Sequence, residues 1–144
     1  MTTVQPEVPA AKDAFEVVGS GLNVYERPDL VEGRAKWLDT PEDVISFTES
    51  GEDVSDVIVI ARGGATTFLT MALNAGVRGV ITLQGAPESH LGILSREFGI
   101  PCVMSTSFTE GVATSRGETI PADGTTVRLD IAGDQGQVFL VEQG

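Results

Sequence analysis

Val57-Ile58-Val59-Ile60 restricts the fold of this chain more than any other stretch. Four consecutive β-branched residues suit a strand and leave no polar face for water, so the strand is expected to be buried on both sides. Gly63-Gly64 breaks the run. Thr66 or Thr67 can then cap a helix that carries Phe68, Leu69, Met71, Ala72 and Leu73 and ends at Gly76. Arg78-Gly79-Val80-Ile81-Thr82-Leu83 returns as another strand. Strand, helix and strand in so short a span form a βαβ crossover, which requires a parallel pair.

The flanks are richer in β signals. Phe15 to Tyr25 is dense in β-formers and interrupted by Gly19-Ser20-Gly21, which predicts a strand, a bulge or turn, and a second strand. Thr40-Pro41-Glu42-Asp43 has the chemistry of a helix start, with a threonine cap, proline at the first position and acids in the first turn; Ser50-Gly51 ends that helix. Residues 105–116 are mostly polar and turn-like. Further on, Thr125 to Ile131 and Gln137 to Val141 alternate on either side of Gly133-Asp134-Gln135-Gly136, which predicts a C-terminal hairpin. Residues 1–13 carry Pro6 and Pro9 and read as a flexible N-terminal arm, leaving residues 14–144 as one domain. The fold class expected from these elements is α/β, a central βαβ unit flanked by β-rich ends.

Composition narrows the function classes. A formal net charge of −12 disfavours nucleic acid and anionic membranes as partners, because both reward Lys and Arg. Cys102 is the only cysteine, so an intrachain disulfide is impossible and a cysteine-built zinc site implausible; no metal site is expected. Its setting, Ile100 to Met104, is that of a buried, inert thiol. No apolar run approaches the ~20 residues that span a bilayer, and the N-terminus lacks the basic and apolar regions of a signal peptide, so a cytoplasmic protein is expected.

The chemistry concentrates in Gly85-Ala86-Pro87-Glu88-Ser89-His90 and the residues after it, which hold the only histidine. Leu91, Leu94 and Phe98 recur at helical spacing and predict one buried face. Gly99 suits a left-handed residue after the helix, Ile100 the apolar contact beyond it, and Pro101 prevents continuation. Ser89 is a suitable N-cap, which puts His90 in the first turn. There, unpaired backbone N–H groups and the positive end of the dipole welcome an anion and disfavour an imidazolium. The neutral imidazole so favoured is the form that can attack phosphorus. Gly85 would let the backbone pass close to a transferred phosphate. No Walker loop, metal-ligand set or Ser–His–Asp ordering accompanies the histidine.

Gly85, Ser89, His90, Ile93, Arg96, Gly99, Ile100, Pro101 and Val103 fall in register with a pattern of known proteins, roughly Gly-Gly-x-Thr-Ser-His-x-Ala-Ile-x-Ala-Arg-x-x-Gly-Ile-Pro-Ala-Val. In this the chain resembles the mobile phosphohistidine domain of phosphoenolpyruvate-utilising enzymes, a family that includes pyruvate phosphate dikinase, phosphoenolpyruvate synthase and Enzyme I of the sugar phosphotransferase system. The resemblance covers about residues 15–141. It implies a swivelling β/β/α domain in which His90 is the phosphorylated residue, Ser89 assists at the phosphate and Arg96 belongs to the same motif helix. It also implies separately encoded partners, an ATP-grasp nucleotide-binding protein and a phosphoenolpyruvate- or pyruvate-binding protein. Mg²⁺ is then expected on those partners, with no cofactor bound by this chain. The expected function is that of the phosphohistidine component of a multi-component phosphotransferase, inactive alone, whose final acceptor is chosen by a partner.

Three positions depart from the pattern. Glu88 stands in place of threonine, Ala86 in place of the second loop glycine, and Gly92 in place of the alanine after the histidine. A carboxylate at ~4 Å from a phosphoryl group costs about 1 kcal/mol in water and more when partly buried. Glu88 therefore weakens phosphorylation, tunes the phosphohistidine towards donation, or marks an alternative, a non-catalytic module of the same domain with a regulatory, ligand-binding or scaffolding role.

Overall fold

The computed structural model describes residues 15–24, 30–51, 53–62, 66–84, 90–133 and 135–141. The expected arm at residues 1–13 lies outside them. In chain order the elements are β1 (Phe15–Asn23), β2 (Leu30–Leu38), α1 (Pro41–Glu49), β3 (Val57–Ala61), α2 (Thr66–Ala75), β4 (Gly79–Thr82), α3 (His90–Phe98), β5 (Cys102–Phe108), β6 (Val112–Ala113), β7 (Thr119–Ile120), β8 (Thr126–Asp130) and β9 (Gln135–Val141).

Seven of these strands close into a barrel in the order β1-β5-β4-β3-β2-β8-β9, with β6 and β7 forming a separate two-stranded ribbon. β2, β3, β4 and β5 run parallel, and the remaining pairings of the ring are antiparallel. This corrects the expectation of a swivelling β/β/α domain built on one βαβ unit with a C-terminal hairpin. The parallel pair β3–β4 with α2 between them is one arc of a mixed closed sheet, and β8 and β9 are two of its staves. The difference lies in β2, a strand beyond the expected elements. Leu30-Val-Glu-Gly-Arg-Ala-Lys-Trp-Leu38 alternates polar with apolar residues, and this strand joins the parallel arc to β8.

The alternation of side chains along the strands divides the apolar interior in two. Val18, Val31, Ala35, Ile58, Ile60, Ile81, Val103, Val127, Leu129 and Val138 come from all seven strands and fill the lumen. Val57, Val59, Ala61, Val80, Cys102 and Met104 point the other way, towards Val44 of α1 and Leu69, Ala72 and Leu73 of α2. The Val57–Ile60 run is thus buried on both faces, between lumen and helices. Each fully buried Ile or Leu in these layers contributes about 1.5–3 kcal/mol.

Closure falls on β1. It pairs with β9 from Phe15 to Leu22 and with β5 from Gly19 to Asn23. Gly19-Ser20-Gly21 is therefore neither a turn nor a break between two strands. It lies in one bulged strand, whose register shifts between Val17 and Gly19 against β9 and between Ser20 and Leu22 against β5. Across from the single residue Gly21, β5 carries two, Ser105 and Thr106, and Ser105 takes a left-handed φ of 52°. β5 thus continues to Phe108 through residues expected to be a turn. The ends of α1 are as expected: the Thr40 hydroxyl accepts from Asp43 N (3.1 Å), and the Asp43 carboxylate accepts from Thr40 N (3.2 Å).

A Cβ on Gly21 would lie 2.5 Å from Thr106 Oγ1 and 2.6 Å from the main-chain oxygen of Met104. Gly21→Ala is expected to lose about 1–3 kcal/mol in urea denaturation, because the seam must open to admit the methyl group. A loss under about 0.5 kcal/mol, the level of an ordinary surface substitution, would contradict this description of the closure.

Candidate functional site

The parallel arc gives the barrel two chemically different ends. At one end β2, β3 and β4 finish at Leu38, Ala61 and Thr82, and α1, α2 and α3 begin after them. The helix N-termini, with their unpaired N–H groups, follow this edge. His90 is the first residue of α3, as its spacing predicted. Gly85, Glu88 and Ser89 lie outside the described residues, as does the side chain of His90.

Both ends of the histidine segment are fixed. On the β4 side, Leu83 N donates to Ala61 O (3.0 Å) and Gln84 N to Arg62 O (3.0 Å), so pairing with the β3 chain continues past Thr82. The buried Thr82 hydroxyl donates to Gln84 O (2.7 Å). On the helix side, Ile100 N donates to Ser95 O (2.9 Å) and Gly99 N to Arg96 O (3.1 Å), with Gly99 at φ 71°. That is the Schellman ending the sequence predicted.

The face by which α3 packs differs from expectation. Gly92 and Ser95 are buried, Leu94 is partly buried, and Phe98 is 46% exposed. Small residues on the inner side let the helix approach the sheet closely, and the Ser95 hydroxyl donates to Gly92 O (2.9 Å). Arg96 is exposed and sits in the last turn, about 9 Å along the axis from His90. There it complements the negative end of the helix dipole.

The strongest electrostatic feature of this edge was not legible in the sequence. Arg62 directly follows β3 and is only 9% exposed. Its Nε and Nη2 donate to the two Glu118 carboxylate oxygens (2.6 and 2.7 Å), and Nη1 donates to Asp39 (2.6 Å). The guanidinium carbon lies 5.3 Å from the centre of the Trp37 ring. Ser115 Oγ donates to the second Asp39 oxygen (2.9 Å), and the Thr114 hydroxyl donates to Glu118. One cation thus ties together the end of β2, the end of β3 and the β6–β7 ribbon. Ile120 of that ribbon is buried as part of the lumen cluster, and Trp37, Leu83 and Phe108 are partly buried against the same cluster. The signal available in sequence was slight: one charged residue directly after an apolar strand, at Arg62, and one after Trp37-Leu38, at Asp39.

The charges respond to these contacts. Hydrogen bonding to Arg62, then to Thr114, lowers Glu118 to about 2. Arg62 and Ser115 lower Asp39 as well, and Glu118 and Asp39 raise Arg62 further above its ordinary value. Burial pushes the Cys102 thiol up to about 12, so it is the inert core thiol expected. Among the described residues no group of three or more His, Cys, Asp or Glu side chains could hold a metal ion. Nor is any helix there long and apolar enough to cross a membrane.

Two outcomes follow for solution experiments. Glu118 is more acidic folded than unfolded, so its contribution to stability is full above its ordinary 4.5 and disappears as pH falls through about 2. The urea midpoint of the native chain should fall across that window, and Glu118→Gln should show a shallower fall from a lower starting midpoint. An equally steep fall in the variant would contradict the assignment. A thiol reagent should modify Cys102 at least about a hundredfold more slowly in the folded than in the urea-unfolded chain, because the reaction awaits opening of the core. Comparable rates would show that Cys102 is not sealed.

Comparison with known proteins gives fold and family separately. The chain resembles the solved muramoyltetrapeptide carboxypeptidase from Oxalobacter formigenes at 11% identity, covering 94% of this chain and 53% of that one, with a TM-score of 0.56. The microcin C7 self-immunity protein MccF, in its inactive mutant apo state, aligns at 15% identity over 90% of this chain and 41% of its own, with a TM-score of 0.49. The chain therefore spans about half or less of these structures, and at such identity the carboxypeptidase likeness speaks for the fold alone. No curated protein matches the chain. The family model described as PEP-utilising enzyme, mobile domain, matches residues 53–131, which run from just before β3 to just past the end of β8 and include His90. This chain belongs to the family of mobile domains of PEP-utilising enzymes.

Proposed function

We propose that this chain is the phosphoryl-carrier component of a PEP-utilising, dikinase-type phosphotransferase, with His90 as the residue transiently phosphorylated. The observation that carries this reading is that the one histidine of a mobile-domain family member opens α3 at the barrel edge where the parallel strands end. A neutral imidazole there can attack a phosphorus atom with one ring nitrogen. The N–P bond forms as the bond from phosphorus to the donor oxygen breaks, and the leaving group departs with its electron pair. The reverse exchange delivers the phosphoryl group to the next acceptor. The backbone N–H groups at the start of α3 favour the anion, and the helix dipole disfavours prior protonation of the imidazole.

The chain's own residues hold and present the histidine. Partner proteins supply the rest: an ATP-grasp nucleotide-binding protein at one end of the exchange and a PEP- or pyruvate-binding protein at the other, with Mg²⁺ in their sites. In-line positioning and charge neutralisation at those sites provide the rate. Ser89 and Gly85 support the phosphate beside the histidine, Arg96 belongs to the same motif helix, and the setting is cytoplasmic. One observation favours a second reading. Glu88 puts a carboxylate two residues before His90, which suits a domain kept for regulation or ligand binding without phosphoryl transfer.

Incubation with candidate partners and labelled ATP or phosphoenolpyruvate separates the two. The carrier reading expects an acid-labile, base-stable label on the chain, abolished in His90→Ala. Glu88→Thr is expected to change the extent of labelling by several-fold, since about 1 kcal/mol of repulsion corresponds to roughly a fivefold equilibrium effect. No label under any pairing would overturn the carrier reading in favour of the regulatory one.

A further inference from the structure

Among the described residues, β6 and β7 are the strands that take no part in the closed ring. None of residues 109–119 is buried, and Val112 is 49% exposed. The apolar hold of this ribbon on the barrel is confined to its far end, where Ile120 and Pro121 are buried. A segment with so little apolar burial opens at a lower free energy than the strands of a core. The chain on either side of it is fixed. Thr109 N donates to Val18 O (2.8 Å) before it; after it, Trp37 N donates to Asp123 (2.7 Å) and Gly124 N to Ala35 O (2.9 Å). These points bound a stretch, residues 110–122, that can move about them.

Within that stretch the ribbon holds its own shape. Thr114 N donates to Glu118 O (2.8 Å) and Gly117 N to Thr114 O (3.0 Å), while the Thr114 hydroxyl accepts from Arg116 N (3.2 Å) and Glu118 N (3.1 Å). Gly111, at φ 146°, packs so closely that a Cβ there would lie 1.9 Å from Ile120 O. The side-chain bonds from the tip to the barrel converge on one place. Glu118 takes the fork from Arg62 (2.6 and 2.7 Å), and Ser115 donates to Asp39 (2.9 Å). Arg62 and Asp39 both belong to the barrel side, directly after β3 and β2. If Glu118 leaves, Arg62 keeps its bond to Asp39 (2.6 Å) and its place over Trp37. Opening therefore strands no unpaired buried cation, the outcome that makes breaking an isolated buried pair so costly.

We propose that the β6–β7 ribbon is a latched flap that opens and closes as a unit on a barrel that stays intact, with the fork from Arg62 to Glu118 as its catch. Closed, the flap seats Ile120 in the lumen cluster. Open, it withdraws that side chain and leaves Nε and Nη2 of Arg62 available at the rim where the parallel strands end. The flap thus switches an apolar seat and a two-pronged cation together between an engaged and an accessible state. It does so whether or not the chain carries phosphate.

Hydrogen exchange of the full chain in rising, sub-denaturing urea tests it. In the native chain the amides of Thr114 and Gly117, corrected for intrinsic rates, are expected to exchange at least about a hundredfold faster than those of β3 and β4. Their rates should change little with urea, because the opening exposes little surface, whereas β3 and β4 rates climb steeply. Glu118→Gln removes the charge of the catch and is expected to speed the two ribbon amides at least about tenfold, still with little urea dependence. Trypsin cleavage after the exposed Arg116 in the tip should rise by a similar factor. Ribbon amides that exchange only with the steep urea dependence of β3 and β4 would show that the ribbon has no opening of its own. That result, read on the native chain alone, would overturn the proposal even if the variant failed to fold. A shallow opening that Glu118→Gln leaves unchanged would overturn the assignment of the catch.

Discussion

The hydrogen-bonding of β1 on both of its edges is the constraint on which the structure depends. A seven-stranded ring has no free edge only if one strand bonds to the first and last members of the otherwise open sheet, and β1 does so with β5 and β9. To bend that far, the strand shifts register twice and puts glycine where Thr106 and Phe108 press closest. Two buried layers follow from this closure. Inside the ring, side chains from every strand pack against one another; outside it, the helices have a curved parallel face to cover.

Closure also determines where chemistry can occur. Four strands of the ring are parallel, so their C-terminal ends share one rim and the helices that follow start there. The lumen is filled with apolar side chains, Ile120 of the ribbon among them. Arg62 pairs with two carboxylates that would otherwise repel each other at the rim and leaves one net negative charge among the three groups, in a chain already carrying a net charge of −12.

Much of the local structure was legible in the sequence because its causes are local. The Thr40-Pro41-Glu42-Asp43 cap, the left-handed Gly99 with Pro101 behind it, and the doubly buried Val57–Ile60 strand each follow from a few adjacent residues. The closed ring did not, because closure is a property of pairings between distant segments, such as β1 with β9 and β2 with β8. Gly19-Ser20-Gly21 carries the same residues whether it turns the chain or lets another strand approach. Phe98 kept helical spacing with Leu94 yet remains half exposed, because the buried side of α3 is made by Gly92 and Ser95. At the site, His90 and its helix were legible through the motif. The ion-pair cluster was not, since Asp39, Arg62 and Glu118 come from three separate segments and only the fold joins them.

The competence of His90 as a phosphoryl acceptor, on which the proposed function depends, can be tested with no partner present. Phosphoramidate is a small donor that transfers to accessible neutral imidazoles, and ³¹P NMR of the treated chain reports the bond formed. The account predicts a single phosphoimidazole resonance, one phosphate per chain, lost on acidification and absent from His90→Ala. Phosphate on a different residue, or no N–P resonance in the folded chain while the unfolded chain reacts, would contradict it.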